Sequence, residues 1–252
     1  MLPTPSTSHV PYDRVYEPAE DSYLLLDTLS SQSEAAFLKS HFLDSSSPLI
    51  CEVGTGSGVV LAFTTSNAST IFGRSDVVSL GVDINHFACS ATSETVRKAL
   101  DESSSGQAVR PAFMGSINAD LTTALKLSSV DILIFNPPYV PAPLPDNTLH
   151  RNNDESTLSS TGMFERDSHL LALSYAGGEE GMEVTNRLLD QVPGVLSRTG
   201  VAYVLLCAQN KPRAVMESIK AWEGGWDATI VGDSGGKAGW EKLVILRIWR
   251  PT

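Results

Sequence analysis

The sequence predicts an α/β fold, with a mostly parallel sheet of seven strands, helices on both faces and a C-terminal β-hairpin. Three observations carry this. Short apolar runs alternate with helix-compatible stretches, the pattern of βα units packed around a parallel sheet. The glycine-rich segment Glu52-Val53-Gly54-Thr55-Gly56-Ser57-Gly58 directly follows one apolar run and precedes the helix-compatible Val59-Val60-Leu61-Ala62-Phe63, placing a tight strand-to-helix turn there. The last two apolar runs are joined by the glycine-rich link 232–239, which suits a hairpin.

Taken in order, a flexible tail over residues 1–13 precedes a helix near Ala19–Leu29, which holds Tyr23-Leu24-Leu25-Leu26-Asp27. Gln32–Ser47 reads as a Ser-rich connector. Strands are expected near 49–53, 77–82, 109–114, 130–135, 200–207, 227–231 and 242–249, with helices between most of them. The third of these contains Pro111, which lacks a ladder donor and is tolerated only on a sheet edge. Thr64–Ser75 is a polar stretch after the glycine-loop helix. Residues 141–168 are rich in Asn, Asp, Ser and Thr without helical or strand periodicity and exceed the usual connection length. They read as a mobile insertion, serving as a lid or as a segment without a role in the site.

A chain of 252 residues with 42% hydrophobic content suffices for one core, so a single domain over 1–252 is expected. No apolar stretch approaches the ~20 residues of a membrane span, and the start lacks the basic flank and apolar run of a signal peptide. The expected location is the cytoplasm, with the nucleus as an alternative. A net charge of −11 disfavours binding to a phosphate backbone, which draws its affinity from Lys and Arg. The basic residues are scattered: Arg97-Lys98, Arg110, Lys211 with Arg213, and Lys237. Cys51, Cys89 and Cys207 have no paired spacing and read as buried thiols. The five histidines show no ligand spacing either, so no metal is expected.

Two segments carry chemistry. At the end of the run Val130–Phe135 stands Asn136-Pro137-Pro138-Tyr139. An Asn amide oxygen and a carbonyl held by two prolines are two acceptors able to take both N–H bonds of an –NH₂ group. Holding the nitrogen in this way aims its lone pair at a donor methyl, with Tyr139 packed flat on the target, which is catalysis by orientation. Acceptors that strengthen as positive charge develops on nitrogen lower the barrier without a dedicated base. An ordinary strand-ending turn is the plainer alternative. In the glycine loop, alternate glycines let the backbone approach a ligand closely. The dinucleotide fingerprint would place a third glycine at 59, where the chain has Val59, and an acid about 20 residues on. The next suitable acid, Asp83, comes later, at the end of the run Val77–Val82. There it can chelate a ribose diol or, in competition with Asn85, cap a helix.

These residues resemble the class I S-adenosylmethionine-dependent methyltransferases, with their Rossmann-like fold. More narrowly they are similar to the HemK-like protein glutamine methyltransferases, in the eukaryotic branch acting on the Gly-Gly-Gln glutamine of the class 1 translation termination factor. The resemblance rests on Val15-Tyr16-Glu17-Pro18-Ala19-Glu20-Asp21-Ser22 and the leucines after it, the Glu52–Gly58 loop, Asn136–Tyr139, and Ala176-Gly177-Gly178 with Gly181. It implies S-adenosyl-L-methionine as cofactor, with Ser22 at its methionine end, Glu52, Gly54 and Gly56 lining it, Asp83 on the ribose, Asp120 and Leu121 beside the adenine, and Asn136 shared with the acceptor. Tyr16, Glu17, Pro18 and Asn136, Pro137, Pro138, Tyr139 would meet the substrate, with Asn136, Pro137 and Tyr139 carrying the reaction. The resemblance also implies a small zinc-binding activator subunit as heterodimer partner, for which the edge strand 109–114 offers unpaired backbone. Lysine or adenine-N6 methylation, a cofactor-binding scaffold without catalysis, and an oxidoreductase are the alternatives. Val59 and the late Asp83 weigh against the last.

Overall fold

In the computed structural model, which describes residues 2–103, 109–145, 160–235 and 242–251, the apolar runs form one seven-stranded sheet. Its strands are β1 (Leu49–Val53), β2 (Val78–Asp83), β3 (Ala112–Asn118), β4 (Val130–Phe135), β5 (Leu196–Leu206), β6 (Asp227–Asp233) and β7 (Val244–Trp249). Their order is β3-β2-β1-β4-β5-β7-β6. The first five pair in parallel, and β7 lies antiparallel between β5 and β6. The expected class, strand number and terminal hairpin are those the chain adopts.

Alternation along the strands supplies both faces, because successive side chains point to opposite sides. On one face Ile50, Ile132, Ile134, Val201, Tyr203 and Ile245 pack beneath α1 (Glu20–Leu29), α2 (Gln32–His41), α3 (Val59–Ser66), α4 (Ala68–Ile71) and α5 (His86–Ser103). On the other, Cys51, Val53, Leu133, Phe135, Val204 and Leu246 meet Leu188, Leu189 and Val192 of α7 (Glu183–Val195) and Ile219 of α8 (Pro212–Lys220). Between β4 and α7 the described residues also form α6 (Ser160–Leu173). All three cysteines are buried and unpaired.

Several expectations need correction. The connector Gln32–Ser47 is helical over α2, where Ser31 caps the Glu34 backbone N–H at 3.2 Å. Serines read as loop formers here start a helix and, at Ser45, bond the Phe42 carbonyl behind it. The polar stretch 64–75 holds the end of α3 and all of α4. Thr64 and Thr65 are fully buried because each hydroxyl returns to a carbonyl one turn back, at 2.8 and 2.6 Å. β3 begins at Ala112 rather than Val109. Pro111 stands just ahead of it, and β3 forms the sheet edge. β5 begins earlier than expected, at Leu196. Of the insertion 141–168, residues 146–159 lie outside the described residues, while 160–168 belong to α6. The later part of the segment expected as a flexible tail packs instead: Val10 is buried against Ala88 and Ala91 of α5, next to Val15 just beyond the segment, and Tyr12 donates to the Thr7 hydroxyl at 2.6 Å.

The sheet and α2 are pinned by a buried polar cluster. Glu34, with 4% side-chain exposure, accepts from Arg247 on β7 at 2.8 Å and from the Tyr203 hydroxyl on β5 at 2.8 Å. Arg247 also lies 3.6 Å from the centre of the Phe37 ring. Removing the carboxylate strands a buried guanidinium and a buried phenol, which costs about 3 kcal/mol. Glu34→Ala should therefore lower the unfolding free energy by that amount in a urea titration, with activity per folded molecule retained.

Candidate active site

β1, β2 and β4 are parallel neighbours, so the loops that leave them open at the same edge of the sheet. After β1 the backbone turns through Gly54 (φ 67°) and Gly56 (φ 50°), left-handed values that glycine adopts without penalty. Gly54 N–H donates to the Val82 carbonyl at 2.8 Å and Gly56 N–H to Asp83 Oδ2 at 2.9 Å. The two readings of Asp83 are separated by Asn85. Asn85 Oδ1 takes the Phe87 N–H at 3.0 Å and so caps α5, while Asp83 accepts the Gly56 N–H through Oδ2 and the Asn85 N–H at 2.8 Å through Oδ1. Glu52 Oε2 accepts the Leu61 N–H at 2.8 Å, tying β1 to α3. Burial pushes the Glu52 carboxyl well above the ordinary range, with Asp83 adding to the rise, and burial raises Asp83 too.

The acceptor loop follows β4. Asn136 Nδ2 donates to Asp21 Oδ2 at 3.0 Å, and the same oxygen accepts from the Tyr16 hydroxyl at 3.0 Å. Asp21 Oδ1 is held by the Ser22 N–H at 2.6 Å. A carboxylate can only accept, so this network sets the orientation of the Asn136 amide. Its Oδ1, the acceptor end, is buried and has no hydrogen-bond partner.

The Ala176–Gly181 landmark explains how the loop is held in place. Val140 N–H donates to the Tyr175 carbonyl at 2.9 Å and Gly177 N–H to the Val140 carbonyl at 2.8 Å. A Cβ on Gly177 would stand 2.4 Å from the Pro138 carbonyl oxygen, and one on Gly181 would stand 2.0 Å from that of Tyr139. Only glycine lets the two backbones approach this closely. Asn210 donates to the Glu180 carbonyl at 3.2 Å and fixes the turn from behind.

These elements enclose a cavity of about 330 Å³. It brings together Tyr16, Ser22, Glu52, Gly54, Gly56, Asp83, Asp120, Leu121, Asn136, Pro137, Pro138 and Tyr139, all expected from the sequence. Glu17 and Pro18 do not line it: Glu17 is exposed and Pro18 half-buried beside it. Asp120 lines it but is ion-paired with Arg187 of α7. Sequence reasoning missed Asp21, Arg187 and Tyr175 as lining residues. Asp21 stands in the first turn of α1, where an acid is ordinary complement to the helix dipole. Its burial, 3% exposed, marks it as different. The described residues contain no cluster able to hold a metal ion.

An antiparallel seventh strand slotted between β5 and β6 sets this sheet apart from dinucleotide-binding folds and gives the chain the Rossmann-like fold of the class I methyltransferases. No protein-family model matches the sequence. The chain is 33% identical over 258 residues to the eRF1 methyltransferase catalytic subunit mtq2 of Schizosaccharomyces pombe, covering 99% of this chain and 96% of that one. It is 31% identical over 252 residues to the methyltransferase HEMK2 of Homo sapiens, covering 97% and 95%. A relative from Methanocaldococcus jannaschii, provisionally named a protein N5-glutamine methyltransferase, is 26% identical over 239 residues, covering 95% and 93%. The chain belongs to the HemK-like protein glutamine methyltransferases.

Two outcomes follow from this geometry. Gly181→Ala should displace the acceptor loop and lower methyl transfer by about 100-fold, the effect of an ångström-scale misplacement, while cofactor affinity measured by calorimetry changes far less. Glu52 has a raised folded pKa, so its contribution to stability is full below the unfolded value and is lost as pH rises. Glu52→Gln keeps an oxygen for Leu61 N–H and removes that loss. The melting temperature of the ligand-free variant should accordingly exceed that of the parent by more at pH 7 than at pH 5.

Proposed function

We propose that this chain transfers the methyl group of S-adenosylmethionine to the side-chain nitrogen of a glutamine, in the Gly-Gly-Gln segment of a class 1 translation termination factor. The observation that carries the reading is the orphaned Asn136 Oδ1, a buried acceptor at the mouth of an acid-lined cavity. The name of the fission-yeast relative supports the substrate.

The cavity residues fit the cofactor. Asp21, Glu52 and Asp83 line it, and among the described residues the one cation in its wall, Arg187, is paired with Asp120, so the field suits a sulfonium and an ammonium group. Above Gly56 a Cβ would meet nothing nearer than Tyr16 Cβ at 3.8 Å, which leaves room for a ligand against the loop. Glu52, Gly54 and Ser22 would hold the amino-acid end, Asp83 the ribose, and Asp120 with Leu121 the base. When bound, S-adenosylmethionine supplies an electrophilic methyl and a neutral thioether leaving group.

The chain's own residues do the rest. Asp21 commits Nδ2 of Asn136, so Oδ1 is the atom presented to an incoming –NH₂ group. The Pro137 carbonyl takes the second N–H, since neither proline carries a competing donor. Both acceptors strengthen as positive charge develops on the nitrogen, which favours the transition state over the ground state. Tyr139 forms a flat wall that excludes water and limits the amide plane to one orientation.

The same reading makes the chain the catalytic subunit of a heterodimer with a small zinc-binding activator, docked on the β3 edge. Met114 on this strand is 68% exposed and Phe113 half-buried, leaving apolar area and unpaired backbone for a partner strand. The proposed location is the cytoplasm, where termination factors act, and the acid composition argues against a nucleic-acid substrate.

The test is transfer of labelled methyl to a Gly-Gly-Gln termination factor, with and without the activator, against a Gln→Ala substrate. Label on the intact substrate alone supports the reading; none from a verified complex defeats it. Asn136→Ala should lower transfer by at least about 100-fold and leave cofactor binding nearly unchanged, whereas equal loss of both would contradict the role given to Asn136.

A further inference from the structure

One wall of the cavity carries a strained backbone. Leu121, just past β3, lines the cavity and is 7% exposed, yet its φ is 50°. That left-handed region is disfavoured for any residue with a Cβ and is held only where neighbouring structure imposes it.

The imposing element is α7. Gln191 Oε1 accepts both the Thr122 N–H at 3.0 Å and the Thr122 hydroxyl at 2.5 Å. One turn earlier on the same helix face, Arg187 pairs with Asp120. The residues on either side of Leu121 are thus tied to a single helix, 120 through Arg187 and 122 through Gln191. Thr123 closes the turn, its hydroxyl donating to the Asp120 carbonyl at 2.7 Å. Of the two ties, the Arg187 pair is partly exposed, with 43% and 36% side-chain exposure, and is screened by solvent. The Gln191 tie is made to a buried threonine and engages its backbone directly.

We infer that Gln191 is a positioning residue for cofactor binding: through Thr122 it holds Leu121 in the left-handed conformation that shapes the wall against which the cofactor's planar base packs. Released from Gln191, the turn relaxes toward ordinary backbone angles, and both the Leu121 side chain and the Asp120 carboxylate leave their places on the cavity wall. The inference rests on the reading of the cavity as an adenosyl site.

The test is calorimetric titration of the full chain with S-adenosylhomocysteine, comparing the parent with Gln191→Ala, Gln191→Glu and Thr122→Val. Gln191→Ala should weaken binding about tenfold, and Gln191→Glu, which keeps an acceptor oxygen, should stay within about twofold of the parent. Thr122→Val removes the hydroxyl bond alone and should fall between them, which preserves the test if the alanine variant does not fold. A purely structural role would lower the unfolding midpoint of Gln191→Ala and leave its affinity alone. Parent-like affinity in Gln191→Ala or in Thr122→Val, or equal loss in the alanine and glutamate variants, overturns the inference. A parent chain that binds no S-adenosylhomocysteine overturns the adenosyl reading and the inference with it.

Discussion

The placement of β1 between two parallel neighbours is the constraint on which this molecule depends. With β2 and β4 on either side and all three running the same way, the loops after them are forced to one edge of the sheet. The glycine turn, the Asp83 carboxylate and the acceptor asparagine are therefore side by side without any of them being near another in sequence. The hydrophobic alternation of the strands secures this arrangement from both faces, so the site inherits its rigidity from the core.

Against that frame the polar part of the site has an uneven character. Its carboxylates are concentrated where water is scarce, and burial raises both Glu52 and Asp83 above ordinary carboxyl values. Such a site is costly to keep in the absence of a positive ligand and favourable in its presence. Asp21 avoids part of this cost through the Tyr16 and Ser22 bonds, which occupy both of its oxygens. The asparagine is left with one bonded end and one open end, an asymmetry that converts a structural hydrogen bond into a directional acceptor.

Most of the architecture was legible from periodicity because the strands are long apolar runs. The glycine turn after β1 and the loop after β4 were legible as turns because glycines and prolines follow directly on apolar strand runs. What escaped notice did so for physical reasons. The α2 helix is hidden by serines, which favour turns in sequence but cap helices when their hydroxyls find a backbone N–H. The start of β3 was read too early because Val109 was counted with the run that follows, whereas Pro111, which has no N–H to give, precedes the first paired residue, Ala112. Asp21 reaches Asn136 and Gln191 reaches Thr122 across 115 and 69 positions. No local pattern encodes a bond over such a separation. Of the segment 15–22, Tyr16, Asp21 and Ser22 reach the cavity, while Glu17 and Pro18, expected to meet the substrate, lie outside its lining.

The Asp21–Asn136 bond also orders events in time. During synthesis the N-terminal segment leaves the ribosome first, and its partner follows 115 residues later, with the Gly181 turn that clamps the acceptor loop later still. Contacts of such long separation form late, after loop-closure entropy has been met by the core. The pocket around Asn136 is thus completed when the earliest and some of the later parts of the chain meet, and a chain that stops before α7 has neither the glycine turn packed on residues 138 and 139 nor the helix that ties residues 120 and 122.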